Sequence, residues 1–368
     1  MKWKLALKKS DDLLEQLLIN RKIKNKESFL NPKITDYKKD LQIPGIAKAL
    51  ERIHKAIKQD ELIIAYGDYD VDGICGAAVL YLGLTKMGAR VLPYIPHREK
   101  EGYGISSVGL DFAKDAGAGL VISCDTGIVA FEQAKYAQKL GLDLIITDHH
   151  EPQGTKRPDA FCIIHSIKIC GTAVAWILFK DEELLDLVAM ATVADMMPLM
   201  GVNRALVKEG LKKLNQTKRV GFLALFNEAG IEKENITSYE IGHIIAPRLN
   251  AMGRLEHAID SLRLLCTKDP LKAKKLADLV GETNDKRKLL TQEAVGEAKL
   301  LVNKSAGIHV LSSKNWNPGI IGLVAARICE ETGKPSIAIS MGEEHTKGSA
   351  RSNAVINIVE VIRNCEEL

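Results

Sequence analysis

Four short stretches of this 368-residue chain carry side chains that could do chemistry together. The first, Gly67-Asp68-Tyr69-Asp70-Val71-Asp72-Gly73, sets three aspartates at alternate positions after the apolar run Ile63-Ile64-Ala65-Tyr66. Alternate positions share one side of an extended chain, so the three carboxylates can converge. Like charges that close repel strongly unless cations sit between them. The other three are Asp125-Thr126-Gly127, Asp148-His149-His150 and Ala194-Asp195-Met196. Oxygen and imidazole donors without thiolates suit Mn²⁺ or Mg²⁺ better than a structural zinc. A carboxylate shared by two such ions, about 3.5–4 Å apart, sets up hydrolysis: one ion activates water while the pair stabilises the attacking and leaving oxygens. Each stretch has an ordinary alternative: an acidic turn, a helix N-cap at Asp125, a helix-end polar residue at Asp195, a polar loop at the histidines. Four such sites in one chain are harder to explain as turns.

The elements that must position them are legible as a repeat. Apolar runs at 62–66, 91–95, 120–124, 142–147 and 161–165 read as strands, and helical patterns at 74–87, 109–116 and 129–140 fall between them. Repeated β-α units of this length predict an α/β fold with a parallel sheet, whose ligands bind beyond the carboxyl ends of the strands. Three of the four stretches stand at those ends, and Asp195 ends a helical pattern that starts near Leu184. The chain divides into a basic helical lead-in (1–60), this catalytic unit (61–200), a helical region with a long connecting helix at 270–300 (201–304), and the start of a second α/β unit (305–368). Arg248 and Arg254 flank Asn250 in a segment that reads as turn-rich, where guanidinium groups can grip phosphates bidentately.

Net charge is only +4, but it is unevenly spread: residues 1–60 hold 15 Lys/Arg against 8 Asp/Glu, residues 61–200 hold 11 against 19, and residues 201–368 hold 25 against 20. An acidic centre between basic flanks suits a metal site beside surfaces that attract a polyanion. No apolar run is long enough to span a membrane. The basic N-terminus lacks the apolar core and cleavage site of a secretory signal. Seven cysteines without a CxxC pair read as reduced thiols in a cytoplasmic protein, and Cys75, Cys124 and Cys170 as buried small residues.

Asp68-Tyr-Asp-Val-Asp-Gly, Asp125-Thr-Gly, Asp148-His-His and Val193-Ala-Asp195 resemble, in order, motifs one to four of the DHH phosphoesterase family. With Ala246-Pro-Arg-Leu-Asn-Ala-Met-Gly-Arg-Leu255, the chain resembles that family's branch of 5′-to-3′ exonucleases specific for single-stranded DNA. The resemblance runs from about Phe29 to Ser352. It implies two divalent cations, Mn²⁺ by preference or Mg²⁺, held by Asp68, Asp70, Asp72, Asp125, His149, His150 and Asp195. Asp125 would bridge them, and Asp125, His149 and His150 would lie closest to the reaction. Asp148 would orient a histidine. Substrate phosphates would be held by Arg248, Asn250, Arg254, Gly319, Arg351 and Ser352. Asn317 stands where the branch commonly carries histidine. The Lys168–Val174 segment fits a family loop-to-helix element in which Gly171 is expected to be structural. The chain stops before the glycine-histidine motif and oligonucleotide-binding barrel that usually follow, as a fragment or a reduced variant would. Single-stranded DNA is the implied partner, with a helicase or single-strand-binding protein beside it and a monomeric state. A phosphodiesterase for short oligonucleotides or cyclic dinucleotides, and a non-catalytic nucleic-acid scaffold, are the alternatives. With aromatic residues at 5% of the chain, strand binding is expected to depend on backbone charge and to weaken with salt.

Overall fold

The structure is a computed structural model that describes residues 5–342, 345–353 and 355–365; residues 1–4 of the basic lead-in and the last three residues of the final segment lie outside it. Five strands, β1 (Leu62–Tyr66), β2 (Arg90–Tyr94), β3 (Ala118–Cys124), β4 (Asp143–Asp148) and β5 (Cys162–His165), form a parallel sheet in the order β2-β1-β3-β4-β5. β1, β3 and β4 are near-continuous apolar runs because helices cover both faces of the sheet. Those helices are α1 (Ile46–Lys58), α2 (Val71–Lys86), α3 (Ser107–Asp115) and α4 (Phe131–Lys139). This strand order reverses direction between β1 and β3, so the crevice for a ligand opens at the carboxyl ends of those two strands.

The predicted strands agree with the structure to within two residues at either end. The helix after β1 differs in a way that matters. It begins at Val71 rather than Ile74, because Asp70 caps it by accepting the amide of Gly73 at 3.1 Å. The three aspartates therefore do not converge by extended-chain alternation. Asp68 leaves the strand, Asp70 is the cap and Asp72 lies in the first turn, so the chain wraps its carboxylates around a helix N-terminus, where the macrodipole favours negative charge. Only glycine fits at 73, since a Cβ there would stand 2.3 Å from the Asp68 amide nitrogen.

Three further helices complete the first unit: α5 (Gly171–Trp176), α6 (Leu185–Ala194) and α7 (Gly201–Asn215). Beyond them, α8 (Val220–Ala229), α9 (Ala246–Leu255), α10 (Ile259–Cys266) and the 32-residue α11 (Pro270–Leu301) follow. The segment that reads as turn-rich is thus a helix, α9, preceded by a π-turn at Ile241–Ile245. α11 packs on α8, α9 and α10, and its C-terminal Ala294, Val295 and Ala298 join the core of the second unit. There β6 (His309–Ser313) pairs parallel with β7 (Ser336–Met341), β7 pairs antiparallel with β8 (Thr346–Arg351), and α12 (Ile321–Thr332) packs on β7 and β8. Among the described residues no helix is long and apolar enough to cross a membrane.

Candidate metal centre

β1 and β3 deliver Asp68 and Asp125 to the two sides of the switch point, and β4 delivers Asp148, His149 and His150 beside them. Asp195 arrives from elsewhere as the C-cap of α6. The structure brings all seven predicted ligands together as three interlocked triads: Asp68/Asp70/Asp125, Asp125/His149/His150 and Asp72/His149/Asp195. Within each triad the candidate ligand atoms lie within 4.8 Å of one another. Asp125 and His149 each belong to two of the three. His149 Nε2 lies 3.1 Å from Asp125 Oδ1, 3.6 Å from Asp72 Oδ2 and 3.7 Å from Asp195 Oδ2.

The backbone at Asp125 is strained to make this possible. Its φ is +62°, in the left-handed region that non-glycine residues rarely occupy, and such strain concentrates at functional sites. The local fold also fixes Asp72. The amides of Gly171 and Thr172, at the start of α5, donate to its two carboxylate oxygens at 2.7 and 2.8 Å, and the Thr172 hydroxyl donates to its carbonyl at 2.7 Å. A side chain at Gly171 would meet the Asp125 Cα and Cβ at 2.7 Å, so glycine lets α5 close on the bridge position.

Asp148 is not aimed at the cluster. One oxygen accepts the amides of His149 (2.7 Å) and His150 (3.1 Å) and the His150 ring nitrogen Nδ1 (2.8 Å), while the other accepts the Ile128 amide (2.8 Å). Burial would raise this carboxyl, but the His150 ring and the amides outweigh it and hold Asp148 below the usual carboxylate range. A carboxylate so held fixes the proton on His150 Nδ1 and leaves Nε2 as the acceptor. The bond to Asp148 raises the His150 pKa; burial lowers that of His149. Four other carboxylates are pushed the other way. Burial, then the neighbouring aspartates, raises Asp68, Asp70 and Asp125, and carries Asp195 to about 7. Buried oxygens Asp68 Oδ1 and Asp125 Oδ1 receive no hydrogen bond. Raised carboxylates and orphaned buried acceptors are what a site built for cations shows when its charges are uncompensated. The donor set, oxygen and imidazole with no thiolate, fits hard divalent ions.

The predicted substrate residues divide. Arg254, at the end of α9, is half-buried and donates to the Gly319 carbonyl at 3.1 Å; loss of solvent, then Arg98, Arg287 and Arg351, lowers it to about 10. A cleft of about 210 Å³ between the two units is walled by Tyr69, Arg98, Gly319, Gly322 and Ser349, and the Arg351 guanidinium lies over Gly322. Lys347 and Glu99 also line this cleft, and Arg254 and Arg351 border it through Gly319 and Gly322. Asn250 accepts the Val71 amide at 3.0 Å, holding α9 against the aspartate turn. Arg248 is elsewhere: its guanidinium pairs with Glu228 at 2.8 Å and donates to Ile244 at 3.0 Å. Ser352 is committed to the Ile356 carbonyl at 2.6 Å, and Ser349 takes the place in the wall. Asn317 accepts the Gly319 amide at 2.7 Å and so shapes the turn.

Sequence reasoning missed the loop between β2 and α3. Its Tyr103 hydroxyl stands 3.0 Å from His150 Nε2, and its Arg98 guanidinium lies 4.9 Å from the centre of the Tyr69 ring. An Arg and a Tyr in a polar loop carry no local signal of that position.

A doubly wound parallel sheet with linked carboxylate–histidine triads at its switch point, beside a cleft bordered by arginines, defines an α/β protein with a candidate centre for divalent cations. The model for "DHH family, N-terminal domain" matches residues 62–196. The chain is 36% identical to the single-stranded-DNA-specific exonuclease RecJ of Bacillus subtilis, over 97% of this chain and 48% of that protein. A crystal structure of exonuclease RecJ bound to manganese superposes with a TM-score of 0.79 at 34% identity, covering 88% of this chain and 86% of that one. The Mn²⁺ complex of RecJ from Thermus thermophilus superposes at 0.84 and 31% identity, covering 96% and 54%. The chain belongs to the DHH family. It spans about half the length of the first curated relatives it matches.

Proposed function

We propose that the chain hydrolyses phosphodiester bonds of single-stranded DNA from a 5′ end, with two divalent cations, Mn²⁺ by preference. The observation that carries this reading is the linkage of the triads through Asp125, whose buried Oδ1 lies 3.1 Å from His149 and has no donor. Support comes from relatives named as single-stranded-DNA-specific exonucleases and from solved relatives bound to manganese. When bound, the cations supply Lewis acidity to the phosphate oxygens and lower the pKa of the attacking water.

The chain's own residues do the rest. Asp68 and Asp70 serve one side of the bridge, and His149 with Asp72 and Asp195 the other. Asp148 holds the proton at His150 Nδ1, so the ring keeps one orientation. Tyr103 Oη, in reach of His150 Nε2, is placed to meet the reacting phosphate or its leaving oxygen. Arg98, Arg254 and Arg351 attract the non-reacting phosphates, and bidentate guanidinium contacts set the register. The inter-unit cleft holds only about 210 Å³, which favours one strand over a duplex. Single-strand-binding protein or helicase partners, a monomeric state and a cytoplasmic location, which suits the seven free cysteines, belong to the same reading.

The test is hydrolysis in Mn²⁺ of 5′- and 3′-end-labelled single strands, a blunt duplex and a dinucleotide. Mononucleotides released first from the 5′ end, with the duplex spared, are expected. Cleavage of the dinucleotide alone would replace this reading with a small-substrate phosphodiesterase.

A further inference from the structure

Two helices that build the metal centre have their far ends on the floor of a second cavity. α5 starts with the amides that hold Asp72 and ends at Trp176; α6 starts at Leu185 and ends at the ligand Asp195. At 1.5 Å per residue these spans are about 9 and 15 Å. Trp176 and Leu185, with Ile34 and Leu41 from the lead-in, form the apolar floor of a cavity of about 690 Å³. The indole N–H of Trp176 is satisfied by the Asp181 carbonyl at 2.8 Å, so the ring offers the cavity carbon surface.

The rim has the opposite character. Lys33, Lys38, Lys180, Lys212 and Lys213 line it, against two carboxylates, Glu182 and Glu209. Lys212 pairs with Glu209 and Lys213 with Glu183, but among the described residues Lys33, Lys38 and Lys180 have no carboxylate within ion-pair distance. Lys180 is held with φ at +49°, a left-handed conformation unusual for lysine. The cavity's volume falls in the range of small-molecule sites, and an apolar floor under a few convergent charges is how such sites orient a ligand.

We propose that this cavity binds a nucleoside phosphate, base on the apolar floor and phosphate at the lysine rim, and that occupancy changes cation affinity at the metal centre through α5 and α6. The lysines unpaired among the described residues favour an anion, the apolar floor favours a carbon-rich body, and a half-open volume of about 690 Å³ suits a small ligand. Because α5 holds Asp72 through two backbone amides and packs against Asp125 at Gly171, and α6 carries Asp195, a shift of either helix alters the ligand geometry. Such a coupling is reciprocal: cation binding must change nucleotide affinity by the same factor.

The proposal rests on the catalytic reading only in its choice of probe, thymidine 5′-monophosphate, a product that reaction would release. Binding to the full chain is measured by calorimetry in EDTA, with inorganic phosphate and thymidine as separate arms, for the unaltered protein, Lys38→Glu/Lys180→Glu and Arg254→Ala. The nucleotide is expected to bind about tenfold or more tighter than either half, with that affinity lost in the lysine variant and kept in Arg254→Ala. Mn²⁺ affinity, titrated with and without the nucleotide, is expected to shift by about fivefold or more in the unaltered protein and not in the lysine variant. Equal affinity for phosphate and nucleotide, loss in Arg254→Ala instead of the lysine variant, no binding, or no shift in Mn²⁺ affinity would each overturn it. None of these readouts uses hydrolysis, so a chain that fails to cleave DNA yet binds the nucleotide here loses the catalytic reading alone.

Discussion

Asp195→Asn should have opposite effects on the metal-free and metal-loaded protein. In the folded chain this carboxyl is raised from 3.8 to about 7, by burial first and then by Asp72 and Asp70. A carboxyl raised on folding binds more protons in the folded state than in the unfolded state. Stability therefore falls as pH rises from about 4 through 7, and the whole penalty is present above 7. At 1.36 kcal/mol per pKa unit, the ionised side chain costs the metal-free fold about 4 kcal/mol at pH 8. Asparagine keeps the shape and removes the charge. The metal-free variant should therefore be more stable than the parent at pH 8 by up to about 4 kcal/mol, with the advantage fading toward pH 4. Mn²⁺ above a thousand times its Kd reverses the order, because a ligand that binds only the folded state stabilises it by about 4.1 kcal/mol at that concentration, more with two ions bound, and the variant has lost one donor. The assay is thermal and urea unfolding at pH 5 and pH 8, in EDTA and in Mn²⁺. An Asp195→Asn protein less stable than the parent in EDTA at pH 8 would refute the like-charge account of the cluster.

Asp125→Ala should abolish hydrolysis and most Mn²⁺ stabilisation while leaving single-strand binding measurable by anisotropy; unchanged turnover would remove Asp125 from the bridge. Arg254→Ala should weaken strand binding and flatten the log affinity against log salt slope by about 0.7, one phosphate's worth on a single strand. Arg248→Ala should leave that slope unchanged and cost about 2 kcal/mol of unfolding free energy, because it breaks a largely buried pair with Glu228. Gly171→Ala should keep the fold by circular dichroism yet weaken Mn²⁺ binding at least about tenfold, since its Cβ would displace Asp125. Mn²⁺ affinity equal to the parent's would show that α5 does not set the ligand geometry.

The sheet and the candidate ligand cluster are legible because both rest on local signals. Strands buried on both faces read as continuous apolar runs, and each aspartate or histidine motif follows one directly. Convergence of the first three carboxylates was legible, but not its cause: alternation in sequence looks extended, whereas the Asp70 cap turns the chain into a helix two residues after Asp68. Arg248 and Arg254 show what the turn reading hid. Six residues apart on a helix they point about 120° away from each other, so one meets Glu228 and the other the cleft. Ser349 rather than Ser352 lies in the wall because β8 ends at Arg351 and the chain has left the sheet by 352. Arg98 and Tyr103 reach the site only when their loop folds over it, a long-range event with no periodic or capping signature.

The central claim, two cations joined by Asp125, is tested most directly by crystals grown in Mn²⁺ and measured at the manganese absorption edge. The account predicts two anomalous peaks about 3.5–4 Å apart, with Asp125 touching both, Asp68 and Asp70 on one and His149 on the other. A single peak, or a pair in which Asp125 contacts only one ion, would contradict it.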